Sequence, residues 1–285
     1  MSQQRWQFYF LLTPFLLWIG LLIIWPHFNM LEVSLTERSW TQGDSFSFKH
    51  YLLFFQQSLY WNTYLRTAWM AILATFITLL ISFPVAYYIA KVAKPRSKLA
   101  LLMCCLLPFW LSELVRAYGW MILLRESGII SGLLQAIGLA DAPIEMLYHD
   151  ATIILGLVYS GMLFMVVPLV SSLDSMDNSY IEAGFDLGGN RWHIFWEIVF
   201  PYAMPGVVSG CIIVFMLNLG NYLIPNLMGG KDSLWFTEMV YTQFITRFNW
   251  ELGSAFGILL LVLSSLLVWL ALKLSGQSLS TTVGR

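Results

Sequence analysis

Two charged side chains lie close together within an apolar stretch of the sequence and are the first candidates for solute chemistry. Glu113 and Arg116 occur three residues apart in the segment L-L-P-F-W-L-S-E-L-V-R-A-Y-G-W, so in a helix they lie on one face. A charged side chain near the centre of a membrane helix costs about 2.5–3.5 kcal/mol, and such residues usually face protein or a water-filled path. Two interpretations are open: the residues pair with each other for structural reasons, or they line a path for a charged solute.

Aromatic and amide side chains extend the second interpretation. An aromatic ring attracts a cation over its face, and three rings lie near the charged pair: Trp110, Tyr118 and Trp120. A later apolar run contains a second polar group: Asn218, Asn221 and Tyr222. Amides within hydrocarbon face protein or water, so these residues either join helices by hydrogen bonds worth about 1 kcal/mol or line the same path.

The sequence contains no recognisable constellation for catalysis or for metal binding. The histidines are scattered, and neither an H-E-x-x-H motif nor a Cys/His cluster with metal spacing occurs. Gly229-Gly230-Lys231-Asp232 resembles part of a P-loop, but an aspartate follows the lysine where the motif has Ser or Thr. The three cysteines lie in apolar runs and indicate no disulfide framework. We therefore expect a chain that is not an enzyme and binds no cofactor of its own.

The composition is that of an integral membrane protein. Hydrophobic residues make up 58% of the 285 residues and charged residues only 11%, whereas soluble domains carry about 25% charged residues. The net charge of −1 provides no basic surface for nucleic acid. Because lipid offers no hydrogen-bond partners to open backbone groups, we predict an all-α membrane protein.

Six apolar stretches are each long enough to cross the membrane, for which about 20 helical residues are needed. Their approximate bounds are 8–26, 63–90, 99–124, 151–173, 204–227 and 253–272. The first stretch is expected to be a retained anchor, because it lacks a small-x-small cleavage site. The connections are too short for another folded domain, so we predict a single transmembrane domain over residues 1–285.

The distribution of charge favours a topology with both termini in the cytoplasm. A basic cluster follows the second stretch, and such clusters mark cytoplasmic loops. In this orientation the inner segments carry an excess of Lys and Arg, and the outer segments carry an excess of Asp and Glu. The loops at about 31–62, 125–150 and 228–252 then face the periplasm, and residues 174–203 face the cytoplasm.

A charged and turn-containing stretch, residues 179–201, interrupts the apolar sequence and is called the charged island below. Ser179 with Glu182 forms a capping-box pattern, which predicts that a helix begins here. Gly188-Gly189-Asn190 tolerates positive φ and predicts a turn before a second helix near Arg191. The second helix has one apolar face, and Pro201 is expected to end it. The apolar face comprises Trp192, Phe195, Trp196 and Val199.

The charged island resembles the E-A-A-x-x-x-G-x9-I-x-L-P loop of the membrane permease subunits of ABC importers. Glu182-Ala183, Gly188, Ile198 and Pro201 match, whereas Gly184 replaces the second alanine and Phe200 replaces the leucine. In that family the loop docks onto a cytoplasmic ATPase, so the resemblance implies a set of ATPase-coupling residues: Glu182, Ala183, Gly184, Asp186, Gly188 and Arg191. The alternative is an ordinary capped helix at the membrane surface.

Two further segments resemble polyamine-type importer permeases. One is P-F-W-x3-L-x-R-x-Y from Pro108, and the other is like L-G-D-F-x-V-P, with Asn221 where an aspartate often stands. The resemblance implies a type I ABC importer permease with six transmembrane helices in a bacterial inner membrane. It also implies three protein partners: a second permease subunit, a cytoplasmic ATPase dimer that binds ATP-Mg, and a periplasmic solute-binding protein. The implied solute is small and amine-containing, such as a polyamine or an opine.

Two alternatives to this function remain open at the level of sequence. One is an ABC importer permease for another small solute, such as an amino acid derivative or an anion. The other is a secondary transporter driven by an ion gradient. A secondary transporter needs intramembrane carboxylates and related halves, whereas we find a single such carboxylate, Glu113, and no clear repeat.

Overall fold

A computed structural model describes residues 2–37, 45–139, 141–230 and 233–276, and the chain is mostly helical. Its helices are α1 (Ser2–Ile19), α2 (Trp25–Ser34), α3 (Lys49–Gln56), α4 (Ser58–Tyr87), α5 (Pro95–Leu106), α6 (Glu113–Leu124), α7 (Ile129–Ala136), α8 (Asp150–Asp174), α9 (Ser179–Asp186), α10 (Arg191–Ile194), α11 (Phe200–Gly220), α12 (Leu223–Met228), α13 (Phe236–Tyr241) and α14 (Trp250–Ser275). One short antiparallel strand pair also forms, β1 (Thr36–Glu37) with β2 (Ser45–Phe46).

Within the described ranges, five helical segments are long and apolar enough to cross a membrane. They are Tyr9–Ser34, Ser58–Val92, Asp150–Asp174, Arg191–Gly220 and Trp250–Ser275. A bent pair, Pro95–Trp110 with Glu113–Ala136, makes a sixth if it is counted as one span. The prediction of an all-α membrane protein with six apolar spans is confirmed.

Two prolines that were expected to end helices do not end them. The first span continues past Pro26 to Ser34, and the second helix of the charged island continues past Pro201 to Gly220. A π-turn precedes each proline, over Gly20–Ile24 and over Phe195–Val199. In such a turn the hydrogen bond reaches five residues back, and each proline then lies in the first turn of the next helix, where no N–H is needed.

The third predicted span, 99–124, is wrong as a continuous helix. A 3₁₀ turn over Leu107–Trp110 contains Pro108, the chain bends by 88°, and α6 begins at Glu113. The Ser112 side chain caps α6 by accepting a hydrogen bond from the Val115 N–H at 3.3 Å. The fifth predicted span is also interrupted, because α11 ends at Gly220 and α12 begins three residues later, at Leu223.

The helices form two compact units, and each unit has buried aromatic or aliphatic contacts of its own. The first comprises residues 1–62 and 239–263, and in it the rings of Phe54 and Tyr60 pack against Phe256. The second comprises residues 63–238 and 264–285. The charged island and all of the predicted path residues belong to the second unit.

Glycines allow α8 and α11 to cross closely in the second unit. A Cβ atom on Gly206 would lie 2.6 Å from the carbonyl oxygen of Pro168. Further along the crossing, a Cβ on Gly210 would lie 2.8 Å from the sulfur of Met165. Small residues at such contacts let helix backbones approach, which is how helices associate within lipid. The contact at Gly206 leaves no room for a methyl group, because its neighbour is backbone.

We predict that Gly206→Ala destabilises the second unit by about 1–3 kcal/mol, the usual cost of overpacking. The added methyl group collides with the Pro168 carbonyl oxygen, so α8 and α11 have to separate. Thermal unfolding of the purified protein in detergent measures the effect as a lower Tm. Gly119→Ala is the matched control, because its Cβ would have no neighbour within 4 Å. Equal Tm values for the two variants would contradict the prediction.

Candidate functional site

The two helix breaks of the second unit meet at one cavity of about 590 Å³. The first break lies at Leu111–Ser112, before α6, and the second at Asn221–Tyr222, between α11 and α12. Non-helical backbone at membrane depth occurs where it lines a cavity or is buried in protein. The walls also include side chains of α8 and the turn before α6, namely Phe109, Ser160 and Phe164.

A hydrogen bond between the two breaks holds the Glu113 carboxylate at the cavity. The Nδ2 atom of Asn221 donates to Oε1 of Glu113 at 2.7 Å. The Oδ1 atom of the same amide accepts the N–H of Ile224 at 3.0 Å, in the first turn of α12. One amide therefore starts a helix and fixes the position of a carboxylate that belongs to another helix.

Arg116 lines the same cavity but does not pair with Glu113. None of the ion pairs in the described part of the chain joins these two residues, so the structural pairing interpretation is wrong. The guanidinium carbon of Arg116 instead lies 6.0 Å from the ring centroid of Tyr159. The Trp120 ring meets Tyr159 edge-to-face at 5.5 Å. The aromatic contacts hold Arg116, and they leave the Glu113 carboxylate with a neutral partner.

The cavity brings together five of the eight path residues predicted from the sequence: Glu113, Arg116, Asn218, Asn221 and Tyr222. Asn218 is also buried, with its Nδ2 atom 3.4 Å from Oγ1 of Thr75, so both interpretations of this amide apply. Trp110 and Tyr118 do not line the cavity, and Trp110 is 83% exposed. Trp120 does not line the cavity either, and its ring packs against Tyr159.

Sequence reasoning missed the residues that create the breaks. Ser112 was not singled out, although a serine directly before an acidic residue is a helix-start signal. Pro108 lies inside the predicted span 99–124, whereas together with Ser112 it marks the end of one helix and the start of another. The signal was present in the sequence, but hydropathy obscured it because the whole stretch is apolar.

The turn of the charged island forms as predicted. Gly188 has φ of +82°, and it follows α9 in a Schellman motif. The Gly189 N–H donates to the Gly184 carbonyl at 3.0 Å, and the Gly188 N–H donates to the Phe185 carbonyl at 2.9 Å. The next helix then begins at Arg191. Its cap is the Asn190 side chain, which accepts the His193 N–H at 2.8 Å.

The predicted capping box at Ser179 and Glu182 is wrong. Asn178 occupies the cap position of α9 without a side-chain cap bond, and the Ser179 N–H instead donates to Oδ1 of Asp177 at 2.9 Å. Hydrogen bonds from Ser179 lower the pKa of the Asp177 carboxyl. The carboxylate therefore stabilises the helix start above the ordinary pKa of aspartate, and this contribution is lost as the pH falls through the lowered value.

Gly184 lets the two helices of the charged island pack closely. A Cβ on this buried residue would lie 2.8 Å from Cδ1 of Ile198 and 3.2 Å from Cγ1 of Ile194. The other predicted coupling residues are exposed: Glu182, Ala183, Asp186, Gly188 and Arg191. Leu187, at the tip of the hairpin, is 89% exposed. The two helices are therefore held together by buried contacts, and the charged island presents both charged and apolar side chains outward.

The predicted apolar face of the second island helix divides between burial and exposure. Val199 is buried, Phe195 is half-buried, and Trp192 and Trp196 are exposed. Indole rings are typical of the boundary between membrane and water. As for metals, no group of three His, Cys, Asp or Glu side chains in the described ranges is arranged to hold an ion.

Comparison with known proteins identifies the family. A family model described as "Binding-protein-dependent transport system inner membrane component" matches residues 82–280. The spermidine/putrescine transport system permease protein PotB of Haemophilus influenzae is 33% identical over 254 residues, covering 88% of each chain. PotB of Escherichia coli is 34% identical over 219 residues, covering 76% of this chain and 79% of the relative.

The fold is similar to that of a solved importer. A bacterial ABC transporter involved in the import of the acidic polysaccharide alginate has a chain that superposes with a TM-score of 0.72. The match covers 96% of both chains at 18% identity, so it shows the fold alone. These comparisons favour the ATP-driven importer over the ion-gradient alternative. This chain belongs to the family of inner membrane components of binding-protein-dependent transport systems.

Proposed function

We propose that this chain is the transmembrane subunit of an ATP-driven importer that carries a small amine-containing solute from the periplasm to the cytoplasm. The observation that carries the proposal is the Glu113 carboxylate at the cavity. Its hydrogen-bond partner is the neutral amide of Asn221, and none of the ion pairs in the described residues joins it to a cation. A carboxylate of this kind binds an ammonium group through a charge-assisted hydrogen bond.

The relatives support the choice of an amine. The PotB proteins are named for spermidine and putrescine, which are flexible cations at neutral pH. The cavity also contains an aromatic ring at Phe109, another at Phe164 and the phenol of Tyr222, whose faces attract an ammonium group. The guanidinium of Arg116 lies over the ring of Tyr159. We propose that it changes the electrostatic potential along the path without neutralising Glu113.

We further propose that residues 174–203 form the ATPase-coupling loop. Its exposed residues contact a cytoplasmic ATPase dimer, which binds the ATP-Mg that this chain does not bind. A second permease subunit completes the path, and a periplasmic solute-binding protein delivers the solute to the outer loops at about 31–62, 125–150 and 228–252. Both termini then lie in the cytoplasm, and residues 1–285 act as a single transmembrane domain.

Transport by such an assembly depends on a two-state equilibrium. ATP and the loaded binding protein change the population only if each makes better contacts with the outward-facing state than with the inward-facing state. The close packing of the two helices of the charged island at Gly184 supports this role, because closely packed helices move as one unit with a bound partner.

We predict that uptake requires ATP on the cytoplasmic side. Proteoliposomes that contain the assembled complex and internal ATP should accumulate labelled putrescine or spermidine when the loaded binding protein is outside. Vesicles without ATP should not, even with an ion gradient imposed, because the energy comes from nucleotide. Undiminished uptake without ATP, or in vesicles that contain this chain alone, would refute the proposed function.

We predict that Glu113→Gln lowers kcat/KM for uptake of a polyamine about tenfold, since hydrogen bonds to charged groups contribute roughly 1.5–3 kcal/mol. The amount of inserted protein should stay near that of the wild type, because glutamine retains the acceptor for Asn221. Equal uptake kinetics for Glu113→Gln and the wild type would return Glu113 to a purely structural role.

We predict that Gly188→Arg leaves the protein inserted in the membrane but prevents copurification of the ATPase. The substitution places a bulky side chain on the exposed turn and forces an L-residue to adopt positive φ, at a cost of about 1–2 kcal/mol. Gly138→Arg is the matched control. Gly138 also has positive φ, at +76°, and no neighbour within 4 Å of its Cβ, but it lies in the loop at 125–150. Loss of the ATPase in both variants, or in neither, would contradict the prediction.

A further inference from the structure

Two lysines outside the charged island contact residues 174–178, the segment directly before it. The Nζ atom of Lys91 donates to the carbonyl oxygen of Met176, and it lies 3.2 Å from Oδ1 of Asn178. The Nζ atom of Lys98 forms an ion pair with Oδ1 of Asp174 at 2.5 Å. Residues 174–178 join α8 to α9, so both lysines contact the segment from which the charged island projects.

The lysines belong to elements that precede the island by about 80 residues along the chain. Lys91 lies in the π-turn at the end of α4, and Lys98 lies in the first part of α5. A continuous apolar cluster also joins these elements. It contains buried side chains from the end of α4, from α8 and from the island. Its members include Ala86, Ile89, Ala90, Leu173, Met176 and Ile194. The polar contacts of the two lysines and the apolar cluster therefore both join the island to α4 and α5.

Helix α5 leads from these contacts to the cavity. Its twelve residues extend about 18 Å at 1.5 Å per residue. The 3₁₀ turn that follows contains Phe109, which lines the cavity and packs edge-to-face on Phe164 at 5.5 Å. If the N-terminal end of α5 moves and the helix itself does not deform, Phe109 at the cavity wall therefore moves with it.

The positions of Lys98 and Asp174 are unfavourable for the stability of the helices that contain them. Lys98 lies near the N-terminus of α5, and Asp174 is the last residue of α8. The helix macrodipole disfavours a cation at the first end and an anion at the second. The Lys98 and Asp174 side chains are 29% and 51% exposed, and ion pairs of this exposure change an equilibrium by no more than about fivefold. That effect is small for folding, but it is large enough to bias a switch between two transport states.

We propose that Lys91 and Lys98 are positioning residues that transmit displacement of the charged island through α5 to the solute cavity. The inference rests on the proposed function, because it assigns the two lysines a part in ATP-driven transport. Their partners Asp174, Met176 and Asn178 lie in the proposed coupling loop but outside the charged island that matches the family motif. The role of the lysines is to make residues 174–178 and the N-terminal end of α5 move together.

The test measures coupling in the complete complex rather than transport alone. In proteoliposomes with the loaded binding protein outside, the number of putrescine molecules taken up per ATP hydrolysed is compared between variants. Lys98→Asp and Asp174→Lys should each lower this ratio about two- to fivefold, because like charges then face each other. The double variant Lys98→Asp/Asp174→Lys should restore most of the ratio, since it re-forms the pair with charges that suit both helix ends.

Three further variants separate positioning from general surface charge. Lys94→Asp is the matched control and should keep the wild-type ratio, because Lys94 is exposed and forms no ion pair with any residue that the structure describes. Lys91→Met removes the donor to the Met176 carbonyl and should lower the ratio. Lys91→Arg retains a donor and should preserve most of it.

The outcomes distinguish the inference from the proposed function. If wild-type vesicles show ATP-dependent uptake but the reversals leave the ratio unchanged, the inference is overturned and the proposed function stands. If the reversals reduce ATPase binding and uptake equally and the double variant does not restore them, the lysines serve folding, and the inference is again overturned. If the wild type itself shows no ATP-dependent uptake, the proposed function fails first.

Discussion

The structure depends on the lack of hydrogen-bond partners for the backbone within lipid. Helices satisfy their own backbone groups, so a membrane-spanning chain leaves the helix only where other polar groups replace those bonds. This chain does so at two places that meet at one cavity, after Trp110 and after Gly220. Ser112 and Asn221 stand at these breaks, and each offers a side-chain oxygen to an N–H of the next helix. The polar side chains at the cavity are thus a consequence of how the backbone groups at the breaks are satisfied.

Asn221 links backbone geometry to the electrostatics of the cavity. Its oxygen supports the start of α12, and its nitrogen holds the Glu113 carboxylate. A neutral partner fixes the position of a carboxylate without cancelling its charge, whereas an ion pair with Arg116 would cancel it. The aromatic contact of Arg116 with Tyr159 keeps the two charges separate. This arrangement supports the proposed path for an amine.

The charged island is shaped by its backbone and by close packing. Gly188 ends α9 in a conformation that other residues rarely adopt, and Gly184 lets α9 approach Ile194 and Ile198. The charged side chains are then left at the surface, where a partner is able to reach them. The same principle of close approach operates at Gly206, where α8 and α11 cross. At both places a glycine lets two helices pack more closely than a larger residue would allow.

The length of each apolar run determined from sequence alone how many spans to expect and roughly where they lie, because the thickness of the membrane sets that length. The turn at Gly188 also followed from local chemistry. The ends expected at Pro26 and Pro201 and the cap expected at Ser179 did not, because a π-turn accommodates a proline and because the Asp177 carboxylate accepts the Ser179 N–H. Sequence likewise selected Glu113, Arg116 and the amides, since polar groups are rare in apolar runs. Only the tertiary structure decided that Glu113 pairs with Asn221, 108 residues away, because that contact depends on where two separate helices break.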